Sequence, residues 1–150
     1  MKYEICLNNE VLDLYHKEYF KKYPKRHVPP LKSPFPPSLN RFTAMTRIAQ
    51  NSEKQKYKEF GIWLASYYKI ANLNLENNIT ITYSFYFKDH RRRDVDNTML
   101  TPKFLNDALV ESKVMVDDNG ERVRLVFDIF RYDKNNPRCV MVIDDGMGEE

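Results

Sequence analysis

Cysteine is nearly absent from this chain. Only Cys6 and Cys139 occur, far apart and in no C-x-x-C pair, so neither a disulfide framework nor a thiolate zinc cage can be built. Histidine is almost as scarce, and His16, His27 and His90 have no metal-ligand spacing. No uninterrupted apolar run is long enough to span a bilayer, and the opening "MKYEICLNNE" carries charge where a signal peptide needs an apolar stretch. The expectation is a soluble protein of the reducing cytoplasm, with no membrane partner.

What is present argues for a packed core. At 150 residues the chain fits one domain, expected to run over 1–150. Hydrophobic residues make 42% and aromatics 13% of it, too much for a disordered chain even with 30% charged residues. The net charge of +3 understates the basic character of the body, because Asp144, Asp145, Glu149 and Glu150 gather in an acidic tail over 144–150. A polyanion is therefore the expected partner.

Six of the eight prolines fall in "YHKEYFKKYPKRHVPPLKSPFPP". That composition predicts a basic, proline-rich arm or insertion over 8–37 that resists regular structure, either solvated or laid along nucleic acid. "MKYEICL" before it reads as a strand. From Ser52, apolar residues at Tyr57, Phe60, Leu64, Tyr67 and Ala71 recur at helical spacing, and such a stripe is core packing before it is a stacking platform. "ITITYSFYF" alternates strictly, with Ile79, Ile81, Tyr83, Phe85 and Phe87 on one face, which predicts a half-buried strand. Thr101 reads as an N-cap with Pro102 at the first helical position, opening a helix over 102–112. Asn119 and Gly120 mark a turn into a strand in which Val123, Leu125, Phe127 and Ile129 alternate, and "RCVMVID" closes the chain as a last strand. The order predicts an α+β domain, a mixed sheet packed with helices.

The chemistry concentrates in "RRRDVDN", residues 91–97. Asp94 and Asp96 are one residue apart, so on extended backbone both carboxylates face one side and repel unless a cation sits between them. A hard divalent ion such as Mg²⁺ suits oxygen ligands of this kind. Asp117 and Asp118 offer a further carboxylate near another strand end, and the residues alone do not choose between them. Arg91, Arg92 and Arg93 are placed to hold a phosphate backbone beside the acids. Lys103, in the first turn of a helix where a positive charge opposes the dipole, is a candidate for charge stabilisation. Such a set fits metal-assisted phosphodiester hydrolysis. The same strings also read as turn caps and a solvated charge run, which gives the alternative of a non-catalytic nucleic-acid-binding module.

"RRRDVDN" followed by "TPKFLNDALVESKVMVDD" resembles the RusA-like family of Holliday junction resolvases, in which a basic run precedes D-x-D-N, a helix carries lysine and D-A-L, and a strand ends in D-D. "PPSLNR", residues 36–41, is similar to an early segment of the same family, so the likeness covers about residues 36–130 and is strongest over 91–118. The resemblance implies metal ligation by Asp94, Asp96 and Asp118, a catalytic role for Lys103, and DNA contact by Arg93. A few more residues separate Asn97 from the helix than the family pattern has. It further implies a Mg²⁺-dependent endodeoxyribonuclease that resolves four-way (Holliday) junctions by paired nicks in recombination and repair. Two equivalent nicks on a two-fold substrate imply a homodimer.

Overall fold

The structure, a computed structural model, describes residues 1–91 and 98–147 and, at 129 and 130, the backbone only. Arg92, Arg93, Asp94, Asp96, Asn97, Glu149 and Glu150 lie outside the described residues, as does the inward placement expected of the Ile129 side chain.

The fold is α+β, a mixed sheet with helices packed against it. Its elements run β1 (Lys2–Leu7), α1 (Asn9–Lys22), α2 (Leu39–Thr43), α3 (Arg47–Tyr67), β2 (Ile79–Phe87), α4 (Leu100–Glu111), β3 (Val123–Tyr132) and β4 (Arg138–Asp144). The sheet order is β1-β4-β2-β3. β4 runs antiparallel to both β1 and β2, whereas β2 and β3 are parallel, joined by the α4 crossover.

The alternation in β2 does what its period demands. Ile79, Ile81, Tyr83 and Phe85 are buried under the helices, joined by Ile5 and Leu7 of β1 and by Cys139, Met141 and Ile143 of β4. Thr80, Thr82, Ser84 and Tyr86 occupy the opposite, half-exposed face. On β3 the inward positions are less covered, and Leu125 remains 40% exposed because β3 is an edge strand.

The helix predicted from Ser52 begins five residues earlier, at Arg47, where the Thr46 hydroxyl accepts from the Ala49 amide at 3.2 Å. Of its predicted stripe, Tyr57, Phe60 and Leu64 are buried, while Tyr67 is 44% exposed at the helix end. α3 crosses α4 at Gly61, and Phe104 of α4 packs against Phe42 and Tyr57 at 5.7 and 6.1 Å between ring centroids. The Tyr83 hydroxyl donates to Asn106 Oδ1 at 2.7 Å inside the core, pinning α4 to β2. Burial pushes the Tyr83 phenol well above its ordinary pKa, so it stays a donor.

Two expectations need correction. Residues 9–22 of the supposed arm are helical, since α1 runs from Asn9 to Lys22 and buries Val11, Leu12 and Tyr15, the last ring 5.0 Å from Phe60. The prolines resist regular structure only from Pro24 onward, past the end of α1. Thr101 does not cap α4, because burial of Leu100 carries the helix start back to that residue, leaving Thr101 and Pro102 inside the first turn and Met99 at the cap position without a side-chain bond. Pro102 is tolerated there because first-turn amides have no intrahelical acceptor.

Candidate functional site

β2 ends by running out of the sheet into charged sequence. Lys88 and Arg91 are exposed just beyond it, and Asp89 accepts from the Arg91 amide at 3.1 Å and pairs with its guanidinium at 3.5 Å. Thr98, on the far side of the undescribed stretch, returns to the same end of the strand. Arg91 and Thr98 both line one cleft of about 710 Å³.

One wall of the cleft is the chain after α1, with Pro34, Phe35 and Pro36 presented to it. This segment is held in place. The Tyr57 hydroxyl lies 2.9 Å from the Ser33 carbonyl and 2.6 Å from the Phe35 carbonyl, and a His16 ring nitrogen lies 2.9 Å from the Leu31 carbonyl. The opposite wall is the end of β2, Phe85 to Lys88, with Arg138 from the neighbouring β4. Arg138 lies 3.8 Å above the Tyr86 ring and donates from Nη1 to Asp133 at 2.8 Å. That bond holds the Asp133 carboxyl below its ordinary pKa. Lys88, Arg91 and Arg138 thus give the cleft three cations, and among the described residues no carboxylate side chain lines it.

Lys103 stands exposed in the first turn of α4, the end of that helix nearest Thr98. Asp117 and Asp118 lie elsewhere. They follow Met115, which bridges Leu75, and precede a turn whose Arg122 carbonyl accepts from the Ile79 amide, so they stand at the beginning of β2. Because β2 and β3 are parallel and pair Ile79 with Val123 and Phe87 with Tyr132, the length of β2 separates Asp118 from Arg91, about 26 Å at about 3.3 Å per residue. Asp117 is engaged locally. It accepts from the Asp118 amide at 2.8 Å and from Asn119 Nδ2 at 2.9 Å, and these bonds, that from Asn119 first, lower its carboxyl pKa.

The structure therefore brings Arg91 and the start of α4 to one end of β2 and leaves Asp118 at the other. Among the described residues no three metal-binding side chains converge. Asp94, Asp96, Arg92 and Arg93 belong to residues 92–97, outside the description. Sequence reasoning missed Lys88, Arg138 and Phe35. Lys88 had a signal in its position directly after a clear strand. Arg138 and Phe35 reach the cleft only through tertiary pairing, and nothing local marks them.

No protein-family model matches this chain, and a search of curated proteins finds no match to it.

Proposed function

We propose that this chain is a structure-specific DNA endonuclease, dependent on Mg²⁺ and acting as a homodimer on four-way junctions. The observation that carries the reading is the D-x-D pair, Asp94 and Asp96, in a stretch bounded by Arg91 and Thr98, both of which line a cleft rich in cations. Arg91, Arg92 and Arg93, with Lys88, are the groups to hold the phosphate backbone, a contact that positions DNA without reading its sequence. Lys103 is the candidate to offset charge on the phosphate. The described residues do not assemble a three-carboxylate Mg²⁺ set, since Asp118 stands at the far end of β2. Asp94 and Asp96 are the residues that would hold the ion. A junction with two-fold symmetry asks for two equivalent sites, which a homodimer supplies.

The second reading, a non-catalytic nucleic-acid-binding module, is favoured by one observation: Asp117 serves as a turn acceptor, as capping acids do. It predicts salt-sensitive binding that needs no divalent metal.

One experiment separates the two. Purified protein is incubated with a synthetic four-way junction or a linear duplex of the same sequence, with Mg²⁺ or a chelator, beside Asp96→Asn, Lys103→Met and Asp118→Asn. Paired nicks in the junction alone, dependent on Mg²⁺ and lost in Asp96→Asn, are expected. Junction binding without cleavage under every divalent metal would leave the binding module. Cleavage by Asp118→Asn at the wild-type rate would remove that residue from the site, and loss of cleavage would require a route for it to the cleft that the described residues of one chain do not provide. Light scattering at micromolar concentration tests the dimer.

A further inference from the structure

We infer that the cleft between residues 33–38 and the end of β2 receives a single unstacked nucleotide from the branch point of a DNA junction, a substrate feature that rests on the DNA-binding part of the reading above. Phe35 and its flanking prolines would take the base, and Lys88, Arg91 and Arg138 the phosphate.

The cleft has two kinds of surface. Pro34, Phe35 and Pro36 on one wall and Phe85 and Phe87 on the other give it apolar surface, and the cations stand about it with no carboxylate side chain among the described lining residues. A ligand that fits must be flat and apolar at one end and anionic at the other. The volume of about 710 Å³ lies in the usual range for small-ligand sites, about 300–1,000 Å³. A duplex is far too wide to enter, so DNA can offer the cleft only a nucleotide taken out of the stack. Extrusion costs least where pairing is already interrupted, as it is at a branch. Aromatic faces accept any base, which suits recognition of structure rather than sequence.

The wall is built before the ligand arrives. Both carbonyls flanking Pro34, those of Ser33 and Phe35, face the Tyr57 hydroxyl at 2.9 and 2.6 Å, so the segment carrying Phe35 is anchored on α3. Such preorganisation lowers the ordering cost of binding. Arg138 is likewise fixed: its guanidinium lies over Tyr86 and uses Nη1 for Asp133 and the Asn136 carbonyl, at 2.8 and 3.0 Å. Nε and Nη2 remain on the planar fork for a phosphate. This gives residues 33–38 a role in selecting branched over continuous DNA.

The test uses a four-way junction with 2-aminopurine at the branch, a control carrying it inside one duplex arm, and full-length protein in chelator so that binding is read without cleavage. Wild-type protein should raise fluorescence at the branch and not in the arm. Phe35→Leu keeps an apolar side chain for the fold, which thermal unfolding checks. It should lose most of the rise and weaken junction binding by about tenfold, the order expected for one stacked base. Lys88→Gln, an exposed change, should lower the salt slope of junction binding by about one. Binding without a fluorescence rise, or a rise that survives intact in Phe35→Leu, overturns the proposal. Cleavage in Mg²⁺ is scored separately. A rise without cleavage leaves the nucleotide site standing and removes the nuclease, whereas cleavage without a rise removes only the nucleotide site.

Discussion

Gly61 is the point at which α3 and α4 come closest, and replacing it with alanine sets two effects against each other. An added Cβ would lie 2.5 Å from Ala108 Cβ and 3.4 Å from Leu105 Cδ2. Carbon atoms in favourable contact sit about 3.5–4.0 Å apart, so the helices must part by about 1 Å at this crossing. No flexible side chain can give way, because Ala108 Cβ is fixed to the α4 backbone and α4 is tied to β2 through Tyr83 and Asn106. Overpacking of this kind costs about 1–3 kcal/mol. Against it stands the helix propensity of alanine, better than glycine by about 1 kcal/mol. The contact wins at a crossing where Phe60, Leu105 and Ala108 are all buried, so Gly61→Ala should lose about 1 kcal/mol net. Thermal unfolding followed by circular dichroism should show a fall of about 2–4 °C per kcal/mol. Ala108→Gly, combined with it, relieves the clash, so the double variant should be more stable than the sum of the two single changes allows. A rise in Tm for Gly61→Ala, or strictly additive single changes, would refute the close crossing.

Two further changes test the surroundings of the cleft. Tyr57→Phe removes the hydroxyl that holds the Ser33 and Phe35 carbonyls. It should cost about 1–2 kcal/mol and speed hydrogen exchange over 33–38, and exchange unchanged there would show that the arm is held otherwise. Asp133→Asn tests the pair with Arg138. Because the carboxyl pKa is lowered in the fold, its contribution is present above the ordinary value of about 3.9 and is lost as pH falls through the lower folded value. The stability gap between wild type and variant should exist at pH 7 and close in strong acid, and a gap that persists at pH 2 would show that charge is not its source.

The part of the fold that could be read in the sequence is the part with an uninterrupted period. β2 is legible at its observed bounds because nine residues alternate without a break. α3 reads five residues short because its first turn, Arg47 to Gln50, carries no buried residue to extend the stripe. α1 is hidden by the basic, proline-rich composition of 8–37, although Val11, Leu12 and Tyr15 form an apolar face before the first proline. Strand order was beyond reach, because β4 pairs with both β1 and β2 through contacts separated by most of the chain. The site divides along the same line. Lys88 and Arg91 follow a legible strand, whereas Arg138 reaches the cleft only because Tyr86 and Arg138 are partners across β2 and β4.

The position of the cleft follows from the crossover. In a parallel β2-α4-β3 unit, the chain leaves the carboxyl end of β2, enters α4 at that same end, and returns at the opposite end to begin β3. Loops at the carboxyl end are therefore free to diverge without disturbing the pairing of the strands, and ligand sites in such sheets lie there. Arg91, Thr98 and the first turn of α4, with Lys103, belong to that end by topology alone. Asp118 belongs to the other end by the same topology, since the residues joining α4 to β3 must lie where α4 finishes. Any mechanism that couples Asp118 to Arg91 and the first turn of α4 must bridge the length of β2. Among the described residues nothing brings Asp118 to that end, which makes the oligomeric state and the Asp118→Asn variant parts of one question.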